Sequence, residues 1–555
     1  MNLRQSVFSI LLLALVATPA FGDERVDAIF ANHTSATPGV ALAVIRDGKI
    51  VYAKGYGLAD LERNVPVTTT TVFDVGSIAK QFTATCIHLL ALDGKLSLDD
   101  DVRKHFPELP KYDRPITVRH LLHHTSGLRD YLTLFSLSGR SLVNDYPESL
   151  VLDVISRQKG LNFAPGDEHL YSNTGYFLLG QLVERVSGKS LRAFAHERIF
   201  EPLGMKSTHF HDDIFEIVPN RALAYTPTPA GFRIDQSIFH VVGDGGVLTT
   251  VEDLALWDRN FYDNKLGGGP KLFENILVPG TLTSGQQIPY ASALLVSTYR
   301  GLPAIHHSGA WAGYRAEMIR FPEQRVTVAV LSNAGNLGNP VLAARKVAEI
   351  YLGDLMQAAP TAAAAAAPAA DVKAVDISAK EIEARAGLYR DSSNGVMRRL
   401  AIDGGRLVYD RMNGVTSPLV PVASDRFRMM NVPVAVEISF ASEGGRQRMV
   451  VAQEGAPPLT LERIEQAAPS APELAAYAGA YYAAELEATH TVAASDGRLV
   501  MRLGSGDELP LDPLARDEFS APGGVTVRFT RENGRVTGMS LGAGRVRDIG
   551  FVRRS

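Results

Sequence analysis

Phe73-Asp74-Val75-Gly76-Ser77-Ile78-Ala79-Lys80-Gln81-Phe82-Thr83-Ala84-Thr85-Cys86-Ile87-His88 sets a serine and a lysine, three positions apart, at the head of an apolar run. The run continues to Leu92 and meets Gly94, a residue suited to ending a helix. Residues three apart share a helix face, so the Ser77 hydroxyl and the Lys80 amine can meet. A helix start also brings backbone N–H groups and a positive dipole end beside that hydroxyl. Serine is a weak nucleophile until a base takes its proton, and a desolvated lysine can be that base. The same letters also describe a capping serine followed by a solvated lysine, so other segments have to decide.

Two further segments supply complementary groups in chain order. Tyr171-Ser172-Asn173 follows a turn-rich loop from Pro165, and His307-Ser308-Gly309 lies on a predicted strand. A serine acyl-transfer site needs a nucleophile, a base, a proton carrier for the leaving group and donors for the oxyanion. Tyr171 can carry the proton, and Asn173 can bond both a substrate amide and the Lys80 amine. The strand edge at His307-Ser308-Gly309 can take a substrate as an added strand, and Gly309 permits close backbone approach.

The order S-x-x-K, Y-x-N, H-S-G resembles the penicillin-recognising serine hydrolases: class C β-lactamases, serine D,D-peptidases, D-stereospecific aminopeptidases and β-lactamase-like esterases. His120-Leu121-Leu122-His123-His124-Thr125-Ser126-Gly127-Leu128 and Gly245-Gly246-Val247-Leu248-Thr249-Thr250 look like framework segments of that family. The resemblance spans roughly residues 24–355. It implies that Ser77 is the acylated nucleophile with Lys80 and Tyr171 as acid–base partners. Asn173, His307, Ser308, Gly309 and Ala310 become substrate-binding residues, the backbone N–H groups of Ser77 and Ala310 forming the oxyanion hole. No metal or organic cofactor is implied. One departure stands out: His307 replaces the lysine of a typical β-lactamase, and histidine is only partly charged near neutrality. That argues against an efficient β-lactamase rather than against hydrolysis.

At 555 residues the chain exceeds one ordinary core. Residues 1–22 read as a signal peptide, with Arg4, an apolar Val7–Val16 and Ala20-Phe21-Gly22 before Asp23. Residues 23–356 form the hydrolase unit, an α+β fold with an antiparallel sheet flanked by helices, as the hairpin-first, strands-last order suggests. An Ala/Pro linker follows at 357–374. The remainder repeats: Ala386-Gly387-Leu388-Tyr389 recurs as Ala478-Gly479-Ala480-Tyr481, and Gly405-Arg406-Leu407-Val408 as Gly497-Arg498-Leu499-Val500, each 92 positions on. Residues 375–465 and 466–555 are therefore two duplicated all-β domains, small barrels or sandwiches. A hydrolase unit with two such domains resembles the D-stereospecific aminopeptidases. The resemblance implies a loop from a β domain that reaches the active site and reads the substrate's free amine, with acidic loop residues as candidates. Oligomerisation or wall-binding modules without active-site contact are the competing reading of the tail.

Other classes are excluded or disfavoured. The net charge of −4, from 56 basic and 60 acidic residues with no long run of either sign, gives no support for nucleic-acid binding. Cys86 stands alone, so no intrachain disulfide forms, and it reads as a buried small hydrophobe. His123-His124 lack the spacing of a helical zinc motif, and Asp244-Gly245-Gly246 lacks the context of a nucleotide loop. The expected protein is a periplasmic or secreted serine hydrolase cleaving amide bonds of small peptides or D-amino-acid derivatives. A carboxylesterase, and a β-lactamase or penicillin-binding protein of weak turnover, are the alternatives. Its partners are small-molecule or peptide substrates, with no membrane span after signal removal and a homo-oligomer left open.

Overall fold

The computed structural model describes residues 23–335, 337–357, 374–392, 395–412, 415–432, 435–443, 445–453 and 458–554. The predicted signal peptide and all but the ends of the predicted linker lie outside them. Six strands, β1 (Val40–Arg46), β2 (Lys49–Tyr56), β3 (Leu295–Tyr299), β4 (Leu302–Trp311), β5 (Tyr314–Phe321) and β6 (Val326–Ser332), form one antiparallel sheet. Their order is β3-β4-β5-β6-β1-β2. The Asp47-Gly48 turn between β1 and β2 has φ of 53° and 69°, the left-handed pair that a two-residue hairpin requires.

The central strands are apolar on both faces because both are covered. In β1, Val40, Leu42 and Val44 enter one core while Ala41, Ala43 and Ile45 enter the other. The first core is closed by α1 (Glu24–Ile29) and α7 (Pro340–Leu352), through Val26, Ala344, Val347 and Ala348. The second holds α2 (Lys80–Leu92), α3 (Val118–Leu122), α4 (Tyr131–Ser138), α5 (Asn173–Ser187) and α6 (Val251–Asn260). Helix α2 is buried continuously from Lys80 to Leu90, as expected of a helix apolar on every side. Cys86 is fully buried within it.

Some expectations need adjusting. The predicted helix does not start at Ser77: Gly76–Ala79 forms a 3₁₀ turn, and α2 begins at Lys80. Helix α3 starts at Val118 because Thr117 and His120 form a reciprocal cap there. Strand β3 was not anticipated; it is a half-exposed edge strand without a clean apolar pattern.

The repeat units are two closed eight-stranded barrels, running from Gly387–Arg390 to Leu459–Ile464 and from Gly479–Ala483 to Val546–Arg554. The duplication reaches small details. Each barrel is preceded by a short helix with a capping box, Ser378 with Glu381 and Ser470 with Glu473. In each, a tyrosine hydroxyl donates four residues back, Tyr389 to the Arg385 carbonyl at 2.7 Å and Tyr481 to the Tyr477 carbonyl at 2.6 Å. No helix among the described residues is long and apolar enough to cross a membrane.

The second barrel docks on the hydrolase unit along residues 129–168. Its apolar interior is continuous with the hydrolase core. Buried Arg129 donates to Glu485 at 3.2 Å and to the carbonyls of Arg547 and Asp548, also at 3.2 Å. The Asn162 side chain bonds the same barrel twice: its Nδ2 donates to the Arg545 carbonyl at 2.9 Å, and its Oδ1 accepts from Arg547 N–H at 2.8 Å. A guanidinium buried this way is costly to unpair, so these contacts hold one defined docking pose.

Candidate active site

Ser77 sits half-exposed in a turn whose neighbours are otherwise buried. Two glycines bring β4 into backbone contact with that turn. A Cβ on Gly309 would lie 1.9 Å from the Val75 carbonyl oxygen and 3.2 Å from Ser77 N, so only glycine fits. A Cβ on Gly76, with φ of 50°, would lie 2.6 Å from Ala310 N. The backbone of Ser77 and that of Ala310 therefore face one another at the head of the cleft, the arrangement an oxyanion hole needs.

Lys80 Nζ is fully buried and has three partners: Ser77 Oγ at 3.0 Å, Asn173 Oδ1 at 2.9 Å, and the Asp244 carbonyl. The last two can only accept. A neutral amine would spend both hydrogens on them and turn its lone pair to the Ser77 hydroxyl, whereas an ammonium would donate to all three. The set thus admits both states of a general base. Asn173 opens α5, and its N–H donates to Asp130 Oδ2 at 2.7 Å. Asp130 also caps α4 through Thr133. With its amide carbonyl held by Lys80, Asn173 can present its NH₂ to a substrate carbonyl.

Tyr171 lines the same cleft, of about 580 Å³, with Ser77, Asn173, His307, Ser308, Gly309 and Ala310. Its ring lies 5.0 Å from Lys80 Nζ. Its hydroxyl, however, is buried with no hydrogen-bond partner, so it bonds neither Ser77 nor Lys80 directly. An orphaned buried hydroxyl costs about 1–3 kcal/mol, and such exceptions concentrate at functional sites. A bound leaving group or water would satisfy it.

His307 is not partly charged. It is buried, and desolvation, reinforced by the Lys80 charge, pushes its pKa down to about 3. Its tautomer follows from a chain of hydrogen bonds. His124 Nδ1 accepts from Ser172 N–H at 3.2 Å, which leaves His124 Nε2–H to donate to the Tyr290 oxygen at 3.1 Å. Tyr290 O–H then donates to His307 Nε2 at 3.0 Å, and His307 Nδ1–H donates to the Ser308 carbonyl at 2.6 Å. Both imidazoles are held neutral, His124 well below 6.5 by burial and then by Lys80. The Ser308 side chain projects on the exposed side of β4, opposite His307, so its backbone makes the tie.

His124 and Asp244 were legible only as parts of a framework segment and a glycine turn, and Asp130, Tyr290 and Arg545 carried no sequence signal of their own. Asp244 is buried, and its carboxyl is pushed up to about 6 by desolvation; Tyr131 O–H donates to both its oxygens at 3.2 Å. Arg545 comes from the turn between strands Arg535–Ala543 and Val546–Arg554 of the second barrel, and it lines the cleft. A tail domain does reach the site, but the residue it delivers is a cation, not the acid that the resemblance implied.

Among the described residues, one cluster has the donors for a metal: His209, His211 and Glu216. Arg192 pairs with Glu216 at 2.6 Å and Arg221 donates to His211 at 3.1 Å, so cations already occupy its ligands.

Comparison with known proteins accords with this geometry. Residues 26–352 match the beta-lactamase family. A D-aminopeptidase of Cereibacter sphaeroides is 28% identical over 533 residues, which span 93% of this chain and 96% of the relative. Among solved structures, the octameric penicillin-binding protein homologue from Pyrococcus abyssi superposes with a TM-score of 0.56 at 25% identity, over 79% of this chain and 99% of that one. The D-amino acid amidase from Ochrobactrum anthropi complexed with D-phenylalanine superposes with a TM-score of 0.51 at 26% identity, over 60% and 99%.

Proposed function

We propose, from the premise that this chain belongs to the beta-lactamase family and is a serine hydrolase, that it is an exported enzyme acylated at Ser77 that cleaves amides of D-amino acids and small D-amino-acid peptides. The observation that carries the reading is the buried Lys80 amine 3.0 Å from the Ser77 hydroxyl, with its other two partners pure acceptors. In this mechanism Ser77 Oγ attacks the substrate carbonyl carbon and its proton passes to Lys80 Nζ. The tetrahedral oxyanion is met by the N–H groups of Ser77 and Ala310. The leaving amine takes a proton through the Tyr171 hydroxyl as the C–N bond breaks. Water then attacks the Ser77 ester carbonyl and gives its proton to Lys80, which returns it to Ser77 Oγ as the acyl C–O bond breaks and the acid leaves.

The substrate class is supported by the D-aminopeptidase relative, which aligns through both barrels, and by the D-amino acid amidase fold neighbour. Export is suggested by the sequence of residues 1–22 alone. The neutral His307 weighs against strong binding of a β-lactam carboxylate at that position. An esterase would use every one of these residues, so the acyl-transfer chemistry is common to both readings.

A fluorophosphonate probe followed by intact-mass spectrometry tests the reading. One adduct is expected, absent in Ser77→Ala and at least about 100-fold slower to form in Lys80→Ala, the loss expected for a general base. Side-by-side turnover of D-alanine amide, L-alanine amide and p-nitrophenyl acetate then ranks the substrates. Labelling that persists in Ser77→Ala would remove the mechanism.

A further inference from the structure

The hairpin that carries Arg545 is anchored by its backbone. The Arg545 carbonyl accepts from Asn162 Nδ2 at 2.9 Å and from Asp130 N–H at 3.4 Å, and the Arg547 side chain next to it pairs with Glu168 at 3.0 Å. The Arg545 side chain is left for other purposes. Among the described residues its guanidinium donates no hydrogen bond. It lies 4.7 Å over the face of Tyr171, is 43% exposed, and borders the cleft that holds Ser77. Asp130 is its ion-pair partner, 4.0 Å from Nη1 and beyond hydrogen-bond length. It is already committed to Asn173 N–H, Thr133 N–H and the Thr133 hydroxyl.

The other charged or titratable groups at the cleft do not compete. Lys80 faces inward to its three partners, burial holds His307 neutral, and partial desolvation lowers the pKa of His169. The Asp244 carboxyl is held by Tyr131. A planar fork of N–H donors that lies over an aromatic ring and donates no hydrogen bond to the described protein groups is suited to binding a carboxylate through two parallel hydrogen bonds.

We propose that Arg545 is a substrate-binding residue that anchors a carboxylate of the substrate, so that a barrel-borne arginine directs the Ser77 site toward D-amino-acid amides and peptides that carry a carboxylate. This inference rests on the acyl-transfer reading of Ser77 and names the substrate class of that same site. It assigns the second barrel a role in specificity, because the hydrolase unit alone presents no exposed cation at this edge of the cleft among its lining residues.

Matched pairs of probes test it on the full chain. D-Alanylglycine against D-alanylglycinamide places the carboxylate on the leaving group, and N-succinyl- against N-acetyl-D-alanine p-nitroanilide places it on the acyl side. Phenylboronic acid against 3-carboxyphenylboronic acid gives the same comparison without turnover, because a boronate adds reversibly to the serine. The expected result is a preference of about tenfold or more for the carboxylate in at least one pair. That preference should collapse to less than about twofold in Arg545→Gln and survive in part in Arg545→Lys. A merely structural arginine would lower both members of a pair equally and leave the ratio untouched. No preference in the unmodified protein, or a preference that persists in Arg545→Gln, overturns the inference. If boronate capture is lost in Ser77→Ala while the ratios stay flat, the acyl-transfer reading stands and the anion site alone falls. Capture and hydrolysis that persist in Ser77→Ala bring down both.

Discussion

Replacing Tyr290 with phenylalanine isolates the hydrogen-bond chain behind the H-S-G strand. The ring would keep its place against His124, 4.7 Å away, and Tyr171, 6.2 Å away. What disappears is the one oxygen that joins His124 Nε2–H to His307 Nε2. Both imidazoles are almost wholly buried, at 1% and 4% exposure, so neither finds water as a substitute. An orphaned buried donor and an orphaned buried acceptor each cost about 1–3 kcal/mol. A hydroxyl that no longer needs desolvating returns about 1–2 kcal/mol, leaving a net loss of about 1–4 kcal/mol. The measurement is favourable because Trp257 and Trp311, the only tryptophans, both belong to the hydrolase unit. Tryptophan fluorescence in urea therefore follows that unit apart from the barrels. A loss below about 1 kcal/mol would refute the chain as drawn. So would imidazole ¹⁵N spectra that place the His307 proton on Nε2 instead of Nδ1.

Two other perturbations probe the same architecture. Gly309→Ala drives a methyl to 1.9 Å from the Val75 carbonyl, so β4 must retreat from the serine turn. A misplacement on that scale lowers kcat by about 100-fold, whereas Gly353→Ala, whose methyl meets nothing within 4 Å, should leave kcat unchanged; equal rates in the two variants would deny the close approach a role. Acid should destabilise the protein in a defined window. Burial holds His307 down to about 3, His88 and His123 to about 4, and His124 well below 6.5, so below that pH the unfolded chain takes up protons that the folded one refuses. Asp74 and Asp244, raised by burial to about 6, act oppositely, since their folded forms take up protons first as pH falls. Near pH 5 the balance is about two extra protons on the unfolded chain, so these groups remove about 2.7 kcal/mol of stability per pH unit lost. Urea midpoints that stay flat or rise between pH 6.5 and 5 would show that the histidines are not held neutral.

What could be read from the chain alone was whatever depends on neighbours in sequence. Ser77 and Lys80 are joined within one helical turn, and the Asp47-Gly48 hairpin is a two-residue event. The barrel duplication was legible because repeated cores need repeated apolar positions, and the 92-residue offset preserved them. Ser77, Lys80, Tyr171 and the glycine strand were accessible because each sits in a short motif with its own spacing. The protonation of His307 was not, since it depends on burial and on Tyr290 and His124 approaching from other elements. Nor was Arg545, which looks like any polar turn residue and reaches the cleft only because Arg129 and Asn162 dock the second barrel. That contact closes a loop of 383 residues between Asn162 and Arg545. No local pattern encodes such a pairing, because its free energy comes from surfaces that exist only once both units have folded.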